Sequence, residues 1–97
     1  MVEVSIHPDA EAEYEAALGW YWERSIQAAD RFEEAFDKAI ASIADSPKTF
    51  PPLDALPRYY ILKRYPYSLI YRCDADLVRV VAVAHSKRLP GYWRGRE

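Results

Sequence analysis

The residues that could do chemistry are concentrated in the second half of this 97-residue chain. There, arginine and lysine alternate with tyrosine and tryptophan, and such a combination of charge and flat rings suits phosphates and bases of single-stranded nucleic acid. Tyrosine is also a common strand residue, and strand arginines often only keep a surface soluble, so a structural interpretation stays open. The candidate target-binding residues are Arg58, Lys63, Arg64, Arg72, Lys87, Arg88, Tyr92 and Trp93.

His85 is the side chain best placed by the sequence for acid–base chemistry. It follows the apolar run of residues 80–84 and directly precedes Ser86, Lys87 and Arg88. Neighbouring cations favour the uncharged imidazole, which can accept a proton as a general base. The alternative is a histidine that is hydrogen-bonded at a strand end and holds the following segment in place.

Other familiar sites are missing from the sequence. The three glycines are scattered, so they form no phosphate-binding loop. Cys73 is the single cysteine and His7 and His85 have no ligand-type neighbours at suitable spacing, so we expect no metal, no cofactor and no internal disulfide. Glu13, with Glu11 and Glu15 beside it, is expected to lie on a solvated helix face.

Charge divides the chain in two. Residues 1–57 contain twelve acidic and four basic residues, a net charge of −8, whereas residues 58–97 contain three acidic and nine basic residues, a net charge of +6. Either the two halves neutralise each other in the folded molecule, or the second half presents a cationic surface to an anionic partner.

The composition is that of an ordinary globular protein, with 51% hydrophobic and 29% charged residues. The longest apolar run, residues 80–84, is far shorter than the roughly 20 residues of a membrane span. No signal peptide is recognisable, so we expect a cytoplasmic protein without membrane contact. The length predicts a single domain over residues 1–97.

The first half reads as a strand followed by two helices. Apolar and polar residues alternate over residues 2–6, and a helix is predicted from Pro8 to about Arg24. Ser25 is a suitable cap for a second helix, which Ser46 and Pro47 end. The two apolar stripes recur at intervals of three and four residues: Ala10, Tyr14, Ala17, Leu18 and Tyr21, then Ala29, Phe32, Phe36, Ile40 and Ile43.

The second half reads as a stiff proline-rich loop, residues 47–57, followed by strands at residues 58–64, 67–73 and 77–85. Tyr65–Pro66 and residues 74–76 form the turns between them. Apart from Arg79, the last strand is apolar on both faces, which predicts a central position covered on both sides. The fold class is therefore α+β, in the order β-α-α-β-β-β, with an antiparallel helix hairpin on one face of a mainly antiparallel four-stranded sheet.

Two stretches, residues 62–72 (LKRYPYSLIYR) and 81–93 (VAVAHSKRLPGYW), together with this order of elements, resemble the RelE/ParE toxin superfamily over essentially the whole chain. Members are toxins of type II toxin–antitoxin modules and are often labelled plasmid stabilisation proteins. The resemblance implies one of two activities. RelE-like members cleave messenger RNA on the ribosome, whereas ParE-like members inhibit DNA gyrase by binding.

The resemblance favours the ParE-like activity over messenger RNA cleavage, and loss of activity is the third alternative. RelE-like nucleases carry an arginine where this chain has Ser68, although Arg88 matches their tail arginine and Tyr92 lies near their tail aromatic residue. The sequence pI of about 5.7 is also low for a protein that works against dense phosphate. In the alternative, a ribosome-dependent endoribonuclease, His85 is the acid or base, Arg88 binds phosphate and Tyr92 orients the substrate.

The resemblance also implies a cognate antitoxin as partner. Family antitoxins wrap an extended or helical, often acidic, segment around the toxin. We expect this partner to cover parts of both helices and the basic side of the sheet. DNA gyrase is the expected target, with the ribosome and its messenger RNA as the alternative, and the sequence specifies no oligomeric state.

Overall fold

The computed structural model describes residues 2–50, 57–74 and 76–96. Their order of elements confirms the prediction: β1 (Glu3–Ile6), α1 (Pro8–Trp22), α2 (Ile26–Asp45), β2 (Arg58–Ile61), β3 (Tyr67–Asp74) and β4 (Leu77–His85). Residues 51–56 of the predicted proline-rich loop and Ala75 of the second predicted turn lie outside the described residues. No helix in the described part of the chain is long and apolar enough to cross a membrane.

Side chains begin both helices. The His7 Nδ1 accepts a hydrogen bond of 3.0 Å from the Asp9 N–H at the start of α1. The Ser25 hydroxyl accepts one of 2.9 Å from the Ala28 N–H at the start of α2, which confirms Ser25 as the cap. Each bond satisfies a backbone donor that the first turn of a helix leaves without a partner.

The sheet has the strand order β1-β4-β3-β2. Strand β1 pairs with β4 in parallel, and the other two pairings are antiparallel. Strand β4 is therefore inside the sheet, as its apolar sequence predicts. Because β3 and β4 are antiparallel, the β2–β3 turn and the residues after His85 lie at the same end of the sheet. These are the two segments that carry several of the predicted site residues.

Strand β2 is shorter than predicted: it ends at Ile61 rather than at Arg64. The Leu62 N–H donates to the Tyr67 carbonyl at 3.0 Å and closes the turn. Arg64 has a φ of 71°, a left-handed conformation that a strand residue does not adopt. The side chain of Leu62 is buried, so this residue anchors the turn instead of extending the strand.

Phe32 is the centre of the core between the helices and the sheet. It has no exposed surface, and its ring centroid lies 4.9 Å from Tyr21, 5.9 Å from Tyr14, 5.3 Å from Tyr65 and 5.7 Å from Tyr67. The apolar stripes of both helices pack into this core, as their spacing predicts. Most of these side chains are buried and the others half-buried.

A smaller cluster covers the other face of the sheet, which we call the outer face. Tyr71 pairs with Val80 and Ile70 with Ala82, so Val81 is an extra residue in β4, a β-bulge. The bulge lets Val81 and Ala82 both join this cluster, where Ile70 and Trp93 complete it. Strand β4 is thus covered by helices on one side and by the C-terminal segment on the other.

Candidate target-binding surface

Residues 86–96, which we call the tail, fold back over the outer face instead of leaving the molecule. Their backbone forms successive turns, with the Arg94 N–H donating to the Gly91 carbonyl at 2.9 Å. Gly91 and Gly95 have φ values of 83° and 93°, a left-handed backbone that glycine adopts without strain. Trp93 anchors these turns, because its side chain is only 3% exposed.

Trp93 is a predicted contact residue, yet its ring packs against Ile70, Val81 and Ala82. In this structure it contributes burial of apolar surface and fixes where its exposed neighbours lie. The residues of the tail that can meet a partner directly are those around it.

Glu13 on α1 holds the tail from the other side. One carboxylate oxygen accepts from the Val83 N–H at 3.0 Å and from Arg96 at 3.0 Å. The other accepts from the Tyr92 hydroxyl at 2.7 Å and from Arg96 at 3.1 Å. The predicted solvated position is therefore wrong for Glu13, whose side chain is 16% exposed.

The need for these contacts comes from the short β1. The His7 N–H donates to the Val80 carbonyl at 2.8 Å, and the chain then turns into α1, so it no longer runs beside β4. Beyond that point Glu13 accepts from the Val83 N–H, and Arg96 donates to the Val81 carbonyl at 3.0 Å. The ion pair thus takes the place of a neighbouring strand at this edge.

These contacts shift the pKa values of Glu13, Tyr92 and Arg96. Burial alone would raise the pKa of Glu13, but hydrogen bonds from Arg96, Tyr92 and Val83 outweigh it and lower the pKa below the ordinary value. Burial, then the bond to Glu13, raises the pKa of Tyr92. The bond to Glu13 likewise raises the pKa of Arg96. At neutral pH the carboxylate is charged and the phenol holds its proton.

The structure brings two predicted residues together, Arg88 and Tyr92. The guanidinium carbon of Arg88 lies 3.8 Å from the centroid of the Tyr92 ring, a cation–π contact, and that of Arg96 lies 5.1 Å away. Arg88 is exposed. Arg88 therefore presents its charge to solvent while it rests on the Tyr92 ring, whose hydroxyl is held by Glu13.

His85 makes contacts of the kind that its structural alternative predicts. Its Nδ1 accepts a hydrogen bond of 3.0 Å from the Lys87 N–H, and its ring lies edge-on to Tyr67 at 5.0 Å. Because a neutral imidazole has one acceptor nitrogen, this bond assigns the proton to Nε2. A substrate that approached Nδ1 would have to displace this hydrogen bond.

Four of the predicted cations lie at one end of the sheet. The Ser86 N–H donates to the Pro66 carbonyl at 2.8 Å, which ties the start of the tail to the β2–β3 turn. We call this surface the basic end; within the described residues none of its four exposed side chains forms an ion pair. It consists of Lys63 and Arg64 on the turn and Lys87 and Arg88 on the tail.

Arg58 and Arg72 lie elsewhere. Arg58 donates to the carbonyls of Lys48 at 3.2 Å and Phe50 at 2.7 Å, so it fastens the first residues of the proline-rich loop. Arg72 pairs in register with Arg79, and its buried Nε has no hydrogen-bond partner within the described residues. The predicted cationic platform is thus divided between the basic end, the tail and these internally placed arginines.

A groove adjoins the basic end between α1 and the end of β4. Two neighbouring cavities of about 220 and 260 Å³ share Trp20, Tyr67 and His85 in their walls, and Arg88 lines the first. Trp20 is 50% exposed, with the Arg24 guanidinium 3.2 Å from its ring. The groove therefore offers rings next to positive charge.

Ser68 occupies the position where RelE-like nucleases carry an arginine. In the sheet it is paired with Ala84 on β4 and Ile61 on β2, so its immediate neighbours are uncharged.

In the described residues, no three potential ligand side chains come together in a group that could hold a metal ion.

Sequence reasoning missed Glu13, although a signal was present. It lies three residues after Ala10 and four before Ala17, both buried, so helical spacing places it on the buried side of α1. What the spacing does not reveal is the partner, because Tyr92 and Arg96 are about eighty positions away in the sequence.

Comparisons with known proteins agree with this architecture. The family described as ParE toxin of type II toxin–antitoxin system, parDE, matches residues 4–90. A solved structure titled "Chromosomal ParDE TA system from P. aeruginosa" superposes with a TM-score of 0.62 over 88% of this chain and 96% of that one, at 14% identity. A search of curated proteins finds no match. Because the family match spans nearly the whole chain, the protein belongs to the ParE toxin family of type II toxin–antitoxin systems.

Proposed function

We propose that this ParE-family toxin inhibits DNA gyrase by binding, with the basic end and the Arg88–Tyr92 pair as its contact surface. The observation that carries the proposal is that Arg88 is exposed and lies on the Tyr92 ring, while the Tyr92 hydroxyl is already hydrogen-bonded to Glu13. Such an arrangement suits recognition of an acidic surface and gives no complete apparatus for cleaving RNA.

Three features speak against RNA cleavage as the activity. Ser68 brings no positive charge to a scissile phosphate. His85 has its acceptor nitrogen occupied by the Lys87 N–H. The Tyr92 hydroxyl donates to Glu13 and its raised pKa keeps it protonated near neutral pH, so it is not available as a base. Neither His85 nor Tyr92 is therefore arranged as a ready proton acceptor for general base catalysis.

A supercoiling assay with purified gyrase tests the proposal. Wild-type toxin is expected to inhibit supercoiling, and Arg88→Ala should raise the half-inhibitory concentration about tenfold or more, the loss typical of a charged contact. Arg31→Ala is the matched control, since Arg31 is an exposed arginine of α2 that does not belong to the proposed contact surface. Intact supercoiling together with cleavage of translated messages would instead support the endoribonuclease.

We further propose that the cognate antitoxin neutralises the toxin through an acidic segment with apolar side chains. The hairpin of helices exposes three large apolar residues near its tip, Trp20, Trp22 and Ile26, each at least half exposed. Exposed apolar side chains near a basic surface fit a partner that buries the former and neutralises the latter.

The affinity of the toxin–antitoxin complex as a function of salt concentration tests the charge contribution. We expect the dissociation constant to rise with salt, and Lys63→Ala with Arg64→Ala to flatten that dependence. Trp22→Ala should weaken the complex at every salt concentration without changing the slope. A complex of the wild-type toxin that is indifferent to salt contradicts the electrostatic part of the proposal.

A further inference from the structure

The exposed Arg88 is connected to α1 through a short chain of contacts. Its guanidinium rests on the Tyr92 ring at 3.8 Å, and the Tyr92 hydroxyl donates to Glu13 at 2.7 Å. Glu13 in turn accepts the Val83 N–H, so it is fixed to β4 as well as to its helix. The position of the Tyr92 ring is thus set by the core elements and not by the tail alone.

Glu13 is well suited to hold this ring. Its carboxylate accepts two parallel bonds from Arg96, and a bond that involves a charged group is stronger and more directional than a neutral one. Both side chains are largely shielded from solvent, Glu13 at 16% and Arg96 at 17% exposure. A carboxylate so placed defines the orientation of the phenol within narrow limits.

Positioning matters because arginine is long and flexible. An exposed arginine loses rotamer freedom when it binds a partner, and this loss reduces affinity. The Tyr92 ring removes part of that freedom before binding. If the ring moves, Arg88 keeps its charge but not its direction.

Resting on the proposed gyrase inhibition, we propose that Glu13 is a positioning residue for the target contact: through the Tyr92 hydroxyl it orients the ring that presents Arg88. Glu13 itself does not meet the target. Loss of the Glu13–Tyr92 bond should therefore weaken inhibition through Arg88 while the fold persists.

Two conservative substitutions test this. Tyr92→Phe keeps the ring under Arg88 but removes the hydroxyl, and Glu13→Gln keeps the shape but removes the charge. We expect each to raise the half-inhibitory concentration for gyrase about three- to tenfold. Glu15→Gln is the control: Glu15 is exposed on the same helix. The control should match the wild type.

A double-mutant cycle separates positioning from general stabilisation. In an Arg88→Ala background, Glu13→Gln and Tyr92→Phe should cost almost nothing further. The same factor in both backgrounds, or wild-type inhibition by both single variants, overturns the proposal.

Amide hydrogen exchange provides a readout that does not depend on gyrase. The amides of Tyr92, Arg94 and Arg96 form the turns of the tail and should exchange faster in Glu13→Gln, while the α2 amides remain protected. If wild-type toxin leaves supercoiling unaffected, the proposed function fails, and this exchange still decides about Glu13. Unchanged exchange in the tail rejects the positioning role.

Discussion

The two faces of the sheet are covered in different ways. On one face, two helices bring a broad apolar layer in which Phe32 meets four aromatic rings. On the outer face, the tail covers a small cluster with the buried Trp93 and the half-buried Tyr92, and is otherwise held by polar contacts to Glu13. The layer formed by the helices is thick, and its apolar contacts have no preferred direction. The cover formed by the tail is thin, and its hydrogen bonds are directional.

This difference indicates a division of labour. Burial of apolar surface stabilises the fold in proportion to the area removed from water and tolerates small shifts. The polar contacts of the tail contribute less free energy but fix the orientation of particular groups. Substitutions in the helix-side core should therefore act on folding, whereas substitutions in the tail should act mainly on what the toxin presents.

The largest effect is expected from Phe32→Ala. The substitution removes a fully buried ring and leaves a cavity among its four aromatic neighbours, which typically costs about 3–5 kcal/mol. For a domain of this size, chemical denaturation should show most of the stability gone. Ile26→Ala, at a position 56% exposed, is the control and should change the free energy of unfolding by less than about 0.5 kcal/mol. Near-wild-type stability of Phe32→Ala contradicts the central role of this ring.

Trp93→Ala tests the thin cover. The lost contacts with Ile70, Val81 and Ala82 should cost about 2–3 kcal/mol, less than in the closed core, because water can reach the vacated space. Limited proteolysis should cut first in residues 86–96, before the cooperative unfolding seen by circular dichroism. If instead the whole domain unfolds together with the tail, the two faces are one cooperative unit and the comparison is wrong.

The helix-side core could be predicted from the sequence for a simple physical reason. Both stripes obey a helical period, and Ala29, Phe32 and Phe36 are all buried where the spacing places them. The same holds for β4, whose apolar sequence on both faces matches its central position. Repeated apolar residues on a regular element carry their own orientation, so local pattern suffices.

The polar contacts between the tail and Glu13 could not be predicted, because the residues that form them are remote in sequence. Glu13 and Tyr92 carry no shared pattern, and only the folded path of the tail brings them to 2.7 Å. The end of β2 was missed for a related reason: Leu62 looks like a strand residue, but the turn needs it as a buried anchor. Burial of Trp93 likewise depends on the bulge at Val81, which alternation does not reveal.

Gly91→Ala probes the backbone of the tail with a smaller effect. At a φ of 83° an alanine costs about 1–2 kcal/mol, and its Cβ would also lie 2.5 Å from the Arg94 guanidinium, which must move. We expect faster amide exchange in the tail and little change in the core. Gly19→Ala is the matched control, because this helical glycine has open space around it and alanine should stabilise α1 by up to about 1 kcal/mol. Equal behaviour of the two variants contradicts the constraint on Gly91.

Acidification has the smallest expected effect on stability and is the most specific test of the polar contacts between the tail and Glu13. Because the pKa of Glu13 is lowered in the folded chain, the stability that its charge contributes is fully present above the ordinary pKa of 4.5 and is lost as pH falls through the folded value. The difference in the free energy of unfolding between wild type and Glu13→Gln should therefore be constant near neutrality and shrink below about pH 4.5. Denaturant titrations at several pH values measure it, with Glu15→Gln as the exposed control. A difference that does not change with pH would show that the ionisation of Glu13 plays no part in holding the tail.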